Sequence, residues 1–132
     1  MLTGKGGVVT FTHNFCKRMS KHYDITLYYK KANNDILLKI GEYVKIKRYN
    51  NETVKSDVVV LASNRNKLKT TSKCVIQMIH AMLSTQKKLF NVTYKHNPAT
   101  TKIVAVGEDV KEDFEKTYPY KVTRVINNML DL

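Results

Sequence analysis

The sequence predicts an α/β, Rossmann-like domain: a mostly parallel sheet in a three-layer sandwich with helices. Three observations predict it. Short runs rich in β-branched residues alternate with helical stretches, as in parallel α/β layers. Three of those runs, residues 57–62, 74–79 and 102–106, are nearly unbroken apolar sequence, the pattern of strands covered on both faces. The glycine turn Gly4-Lys5-Gly6-Gly7 feeds directly into the first helical stretch, an arrangement that normally follows a buried strand. Only Met1-Leu2-Thr3 precedes the turn, so the first strand is predicted to be largely missing.

In chain order, Val8, Phe11, Phe15 and Met19 recur at three- and four-residue steps and place one apolar stripe on a helix running to about residue 22. Asp24-Ile25-Thr26-Leu27-Tyr28-Tyr29 reads as a strand that leaves through Lys30-Lys31. Asn33-Asn34-Asp35 caps a short helix over residues 36–40, which stops at Gly41. Residues 44–49 alternate strictly, so one face is buried and the strand lies near a sheet edge. The three apolar runs form the sheet centre. A fragmentary helix is predicted around residues 86–90. Residues 108–117 form a helix with carboxylates in its first turns, ended by Pro119, and residues 122–126 a last strand. The connection over residues 63–73 has poor helical periodicity, and Lys67-Leu68-Lys69-Thr70-Thr71-Ser72-Lys73 reads as a solvated basic link. The long stretch 84–101 is of the size that is usually functional or mobile.

With 132 residues and 42% hydrophobic content the chain suits a single folded domain, residues 1–132. No run of about 18 apolar residues exists, so the sequence predicts neither a membrane span nor a secretory segment, and a cytoplasmic location. Cys16 and Cys74 are far apart, outside any C-x-x-C pair, and are expected to be reduced and buried; no metal site is expected. The 23 Lys+Arg against 11 Asp+Glu leave a net charge of +12, which favours phosphates, nucleic acid or an anionic bilayer surface but equally suits lysine-loaded solvent faces.

The glycine turn lacks the Lys and hydroxyl residue of a nucleotide-hydrolase P-loop, since Val8-Val9-Thr10 follows Gly7. It supplies only the first two glycines of a dinucleotide fingerprint. What is left is a Gly-Gly turn whose amides approach a diphosphate or sugar at a helix start, or one needed only for tight packing. His80 ends the run 74–79, at the carboxyl edge where ligands gather in open α/β sheets; it can exchange a hydrogen bond with a sugar hydroxyl or be a satisfied structural histidine. His13, near the glycine turn, is a weaker candidate, and His22 and His96 read as surface residues. No Ser/His/Asp or metal-ligand spacing supports hydrolase or metalloenzyme chemistry.

The ordered segments resemble a family. Gly6-Gly7-Val8-Val9-Thr10-Phe11 with Asn14-Phe15, then Tyr23 to Leu27, Ser56 to Val60, Val75 to Ala81, Ile103 to Glu108 and Val125 to Asn128, are similar to the amino-terminal domain of retaining GT-B-fold glycosyltransferases of the bacterial group 1 type. The resemblance implies a domain or fragment of an enzyme that moves a sugar from a nucleotide-sugar donor to a cell-surface polysaccharide or glycolipid acceptor. It gives the donor diphosphate to Gly6 and Gly7 and the place beside the transferred sugar to His80; His13 and Asn14 are candidates for the acceptor side. It implies no metal and no cofactor, and peripheral contact with the inner face of an anionic membrane. Gly107 stands where the family usually has Ser, removing a hydroxyl. The family's carboxyl-terminal, donor-binding domain is not in this sequence, so the chain is expected to be inactive alone. No nucleic acid partner is expected on that reading. The alternative is a basic nucleic-acid-binding module without catalysis, with Tyr28, Tyr29, Tyr43, Tyr49 and Tyr94 offering stacking.

Overall fold

The computed structural model describes residues 7–62, 68–90 and 94–126. Their order is α1 (Gly7–Met19), β1 (Thr26–Tyr29), α2 (Asn34–Gly41), β2 (Lys45–Arg48), β3 (Val59–Leu61), β4 (Val75–Ile79), α3 (Leu83–Phe90), β5 (Thr101–Ala105), α4 (Glu108–Thr117) and β6 (Arg124–Val125). Every strand pairing is parallel, in a two-stranded sheet β1-β2 and a four-stranded sheet β3-β4-β5-β6, so the fold is α/β and Rossmann-like. The single domain expected from the sequence divides by contacts into two compact units, Met1–Glu52 with Met129–Leu132, and Thr53–Asn128. The expected stub of a first strand, Met1 to Thr3, lies outside the described residues.

In the first unit α1 and α2 share one aliphatic cluster with the sheet. Cys16, Ile40 and Val44 are its buried centre, and Ile25, Leu27, Tyr29 and Ile46 pack against it. Strand period two puts Ile25, Leu27 and Tyr29 on that face and Thr26 and Tyr28 on the other. The buried side of α1 differs from the expected stripe. Thr12, Asn14 and Cys16 are buried with Phe11, whereas Phe15 and Met19 are only half-buried. Polar residues at 12 and 14 hid this from a reading by hydrophobicity. α1 also ends earlier than expected, because Ser20 Oγ donates to the Lys17 carbonyl at 3.1 Å and the His22 and Tyr23 amides both turn back to Met19. Asn33 caps α2 by accepting from the Asp35 amide at 2.8 Å. β2 is an edge strand, as its alternation predicts, with Lys45 and Lys47 exposed on the face carrying Tyr28.

In the second unit, strands in sequence order lie side by side, so crossovers of one hand put both helices on the same face. Ile79, Ile103 and Ala105 meet Leu83 of α3 and Val110 and Phe114 of α4 in one core, together with Tyr94 and Tyr118. Met78 and Val104, on the opposite sheet face, are buried as well. α4 coincides with its expected span, and α3 begins three residues before the predicted fragment. The last strand shrinks to two residues, tied to β5 by Thr123 and Ile126 amides donating to Ile103 and Ala105 carbonyls at 2.8 Å each. β3, expected at the sheet centre, is an edge of the described sheet, and Val58 just before it is 49% exposed.

The described part of the basic link, from residue 68 on, is anchored rather than merely solvated. Val54 bridges Thr70, whose hydroxyl donates to the Val54 carbonyl at 2.7 Å, and Ser72 Oγ bonds the Asp57 and Cys74 carbonyls. Cys16 is buried as expected, but Cys74, one residue before β4, is exposed.

Candidate functional site

Parallel strands deliver their carboxyl ends to one edge of a sheet, and in the second unit that edge carries Ala62 after β3, His80 after β4 and Gly107 after β5. His80 is half-buried. Burial pushes its imidazole below the usual histidine range, and a hydrogen bond with the Ala62 backbone acts in the opposite direction. Both ring nitrogens are buried, and with its N–H engaged by the Ala62 backbone the neutral ring keeps one nitrogen that accepts, a partner for a hydroxyl and not for a phosphate.

The helix starts around it are already occupied. α3 begins at Leu83, and Asp113 of α4 accepts from the Ser84 amide at 3.1 Å and, through a short contact, from the Ser84 hydroxyl. The Asp113 carboxylate thus caps α3 from a neighbouring helix. Gly107 caps the start of α4 and leaves room for the Asp109 carboxylate: a Cβ there would stand 2.7 Å from Asp109 Oδ1. Asp109 Oδ1 accepts from the Val110 amide, and Glu108 and Asp109 fill the first turn with negative charge. Both helix N-termini of the second unit therefore face carboxylates, and an anion gains nothing there. Sequence reading missed Ser84–Asp113, since a pair 29 positions apart leaves no local pattern.

The first unit differs. Gly7 opens α1, which has no acidic residue in its first turn, while Gly6 lies outside the described residues. His13 is half-buried on α1, its ring 6.0 Å from that of Tyr43. Asn14 is buried, 4% exposed. Among the tyrosines proposed for stacking, Tyr94 is buried inside the second unit's core and Tyr49 is buried too, which removes both as open platforms. Tyr28 stays half-exposed, edge-on to Tyr49 at 6.2 Å, with Lys47 Nζ 5.8 Å from its ring.

His96, read as a surface residue, is instead half-buried and lies against Tyr120, the ring centroids 3.9 Å apart and the planes tilted by 37°. Its Nδ1 and the Tyr94 hydroxyl are buried with no hydrogen-bond partner among the described residues. Burial lowers the proton affinity of His96 and raises that of Tyr94, whose neighbour Tyr120 adds to the effect. Among the described residues no group of three His, Cys, Asp or Glu side chains is placed to hold a metal ion. No described helix is long and apolar enough to cross a membrane. No family model, curated protein or solved structure matches this chain.

Proposed function

We propose that the chain is the acceptor-side domain of a sugar-nucleotide-dependent glycosyltransferase working at the cytoplasmic side of an anionic membrane on a polysaccharide or glycolipid. The observation that carries this reading is a neutral, half-buried histidine at the carboxyl end of a buried parallel strand, between helix starts that carboxylates already fill. Such an edge favours sugar hydroxyls and disfavours phosphate. The donor diphosphate then falls to the glycine turn, Gly6 and Gly7, where α1 lacks an acidic first turn. The resembled enzymes hold most of the nucleotide on a second domain, so donor affinity of this chain alone is weak.

Titration of the isotope-labelled chain with UDP-glucose and GDP-mannose, with pyrophosphate as control, tests the reading. A nucleotide sugar moves the His80 ring resonances while pyrophosphate leaves them in place. A silent His80 refutes the assignment. Micromolar donor affinity by calorimetry refutes the division of labour with a second domain.

A second reading, a nucleic-acid-binding module, has one observation in its favour. Thr26 and Tyr28 of β1 pair with Lys45 and Lys47 of β2, so cations and an aromatic ring share one sheet face, with Lys30 5.8 Å from the Tyr49 ring. A salt-sensitive gel shift with single-stranded RNA supports it, and indifference to RNA at low salt dismisses it.

A further inference from the structure

At the opposite, amino-terminal end of β1 and β2 the two helix-to-strand turns of the first unit lie side by side and enclose a shallow cleft of about 540 Å³. The α1–β1 turn contributes His22, Tyr23 and Asp24, the α2–β2 turn Glu42 and Tyr43, and β2 its first residue, Lys45. Two features mark this cleft. Tyr23 and Tyr43, 64% and 37% exposed, present aromatic surface that no core demands. In addition, the lining carries two carboxylates, Asp24 and Glu42, against one lysine, on a chain whose total charge is +12.

That balance selects the ligand. Polyanions are attracted by the chain as a whole, but at this cleft they meet Asp24, Glu42 and the carbonyl ends of α1 and α2. Small cations find carboxylates and rings but also the Lys45 ammonium. A neutral polyhydroxylated ring uses everything present. Its hydroxyls donate to the carboxylates and accept from lysine, imidazole and phenol groups, while its C–H face packs on a tyrosine. We infer that this cleft binds the pyranose rings of a neutral oligosaccharide. Its openness at the surface suits a chain running through rather than a single enclosed sugar.

The inference deepens the proposed function and rests on it for the choice of a glycan, giving the acceptor a footing distant in sequence from His80. The test is a titration of the labelled full chain with cellohexaose, maltohexaose and chitohexaose, with tetramethylammonium as the cationic probe. Binding of one of these glycans shifts amides of residues 20–25 and 41–45, and Tyr23→Ala weakens it by about tenfold, equivalent to ~1.4 kcal/mol. Because Tyr23 is largely exposed, that variant folds; Asp24→Asn, which keeps the shape and removes a charge, weakens binding as well. Capture of tetramethylammonium in place of all three glycans overturns the inference, as does a cleft that answers to no probe. Donor binding is read separately at His80. Glycan shifts in the turns with a silent His80 defeat the transferase assignment and leave the cleft standing, and the reverse pattern does the opposite.

Discussion

Removing Asp113 tests how the second unit holds its carboxyl edge in place. The carboxylate accepts two hydrogen bonds from Ser84, one from the amide and one from the hydroxyl, and so joins α4 to the first turn of α3. Hydrogen bonds to a charged acceptor contribute about 1.5–3 kcal/mol each, and partial exposure of the pair lowers each to about 1–2 kcal/mol here. Asp113→Ala therefore destabilises by roughly 2–4 kcal/mol, and Ser84→Ala, which keeps the amide bond, by about 1 kcal/mol. Urea unfolding of the two single variants and the double variant gives the coupling directly, with roughly 1 kcal/mol expected. Asp113→Asn, which keeps an acceptor without the charge, falls between Ala and wild type. If the double variant loses the plain sum of the single losses within about 0.3 kcal/mol, the capping argument is wrong. In the same samples the His80 resonances move in Asp113→Ala, since only residues 81–83 separate His80 from the released turn.

Phe114 is fully buried and lies within 5.5 Å and 5.6 Å of the Tyr94 and Tyr118 rings, so Phe114→Ala costs about 3–5 kcal/mol by urea unfolding, whereas Phe114→Leu costs well under half of that. A thiol reagent modifies Cys74 in the native chain within the mixing time and spares Cys16, whose thiol burial pushes up to about 11; mass mapping of the label checks the order. His80 and His96 are both lowered by burial, so the unfolded chain binds more protons than the folded one as pH falls below about 6.5, and stability declines in that window. Melting points that stay level from pH 7.5 to pH 5 would contradict this, and His96→Gln flattens the part of the slope that His96 carries.

Much of the fold was legible because its signals are local. Asn33 at the start of α2, the acidic first turn of α4 and the alternation of β2 each act within a few residues. What escaped was set by distance in sequence. The buried face of α1 includes Thr12 and Asn14, which no hydrophobic pattern marks, and Ser84 reaches Asp113 on another helix. His96 looked like a surface residue beside Asn97 and Pro98, but Tyr120 lies against it from 24 positions away. Within the site, the place of His80 followed from the end of an apolar run, since a buried strand must release its chain at the sheet edge. The Asp113 carboxylate at the start of α3 did not, because it comes from another helix.

The border strands of the two sheets differ in composition. β2 displays Lys45 and Lys47, charges that keep a second molecule from adding a strand, whereas β3 is a valine-rich border preceded by exposed Val58 and bears no lysine. Val58→Lys puts a charge at this exposed position and raises the concentration at which the protein remains monodisperse.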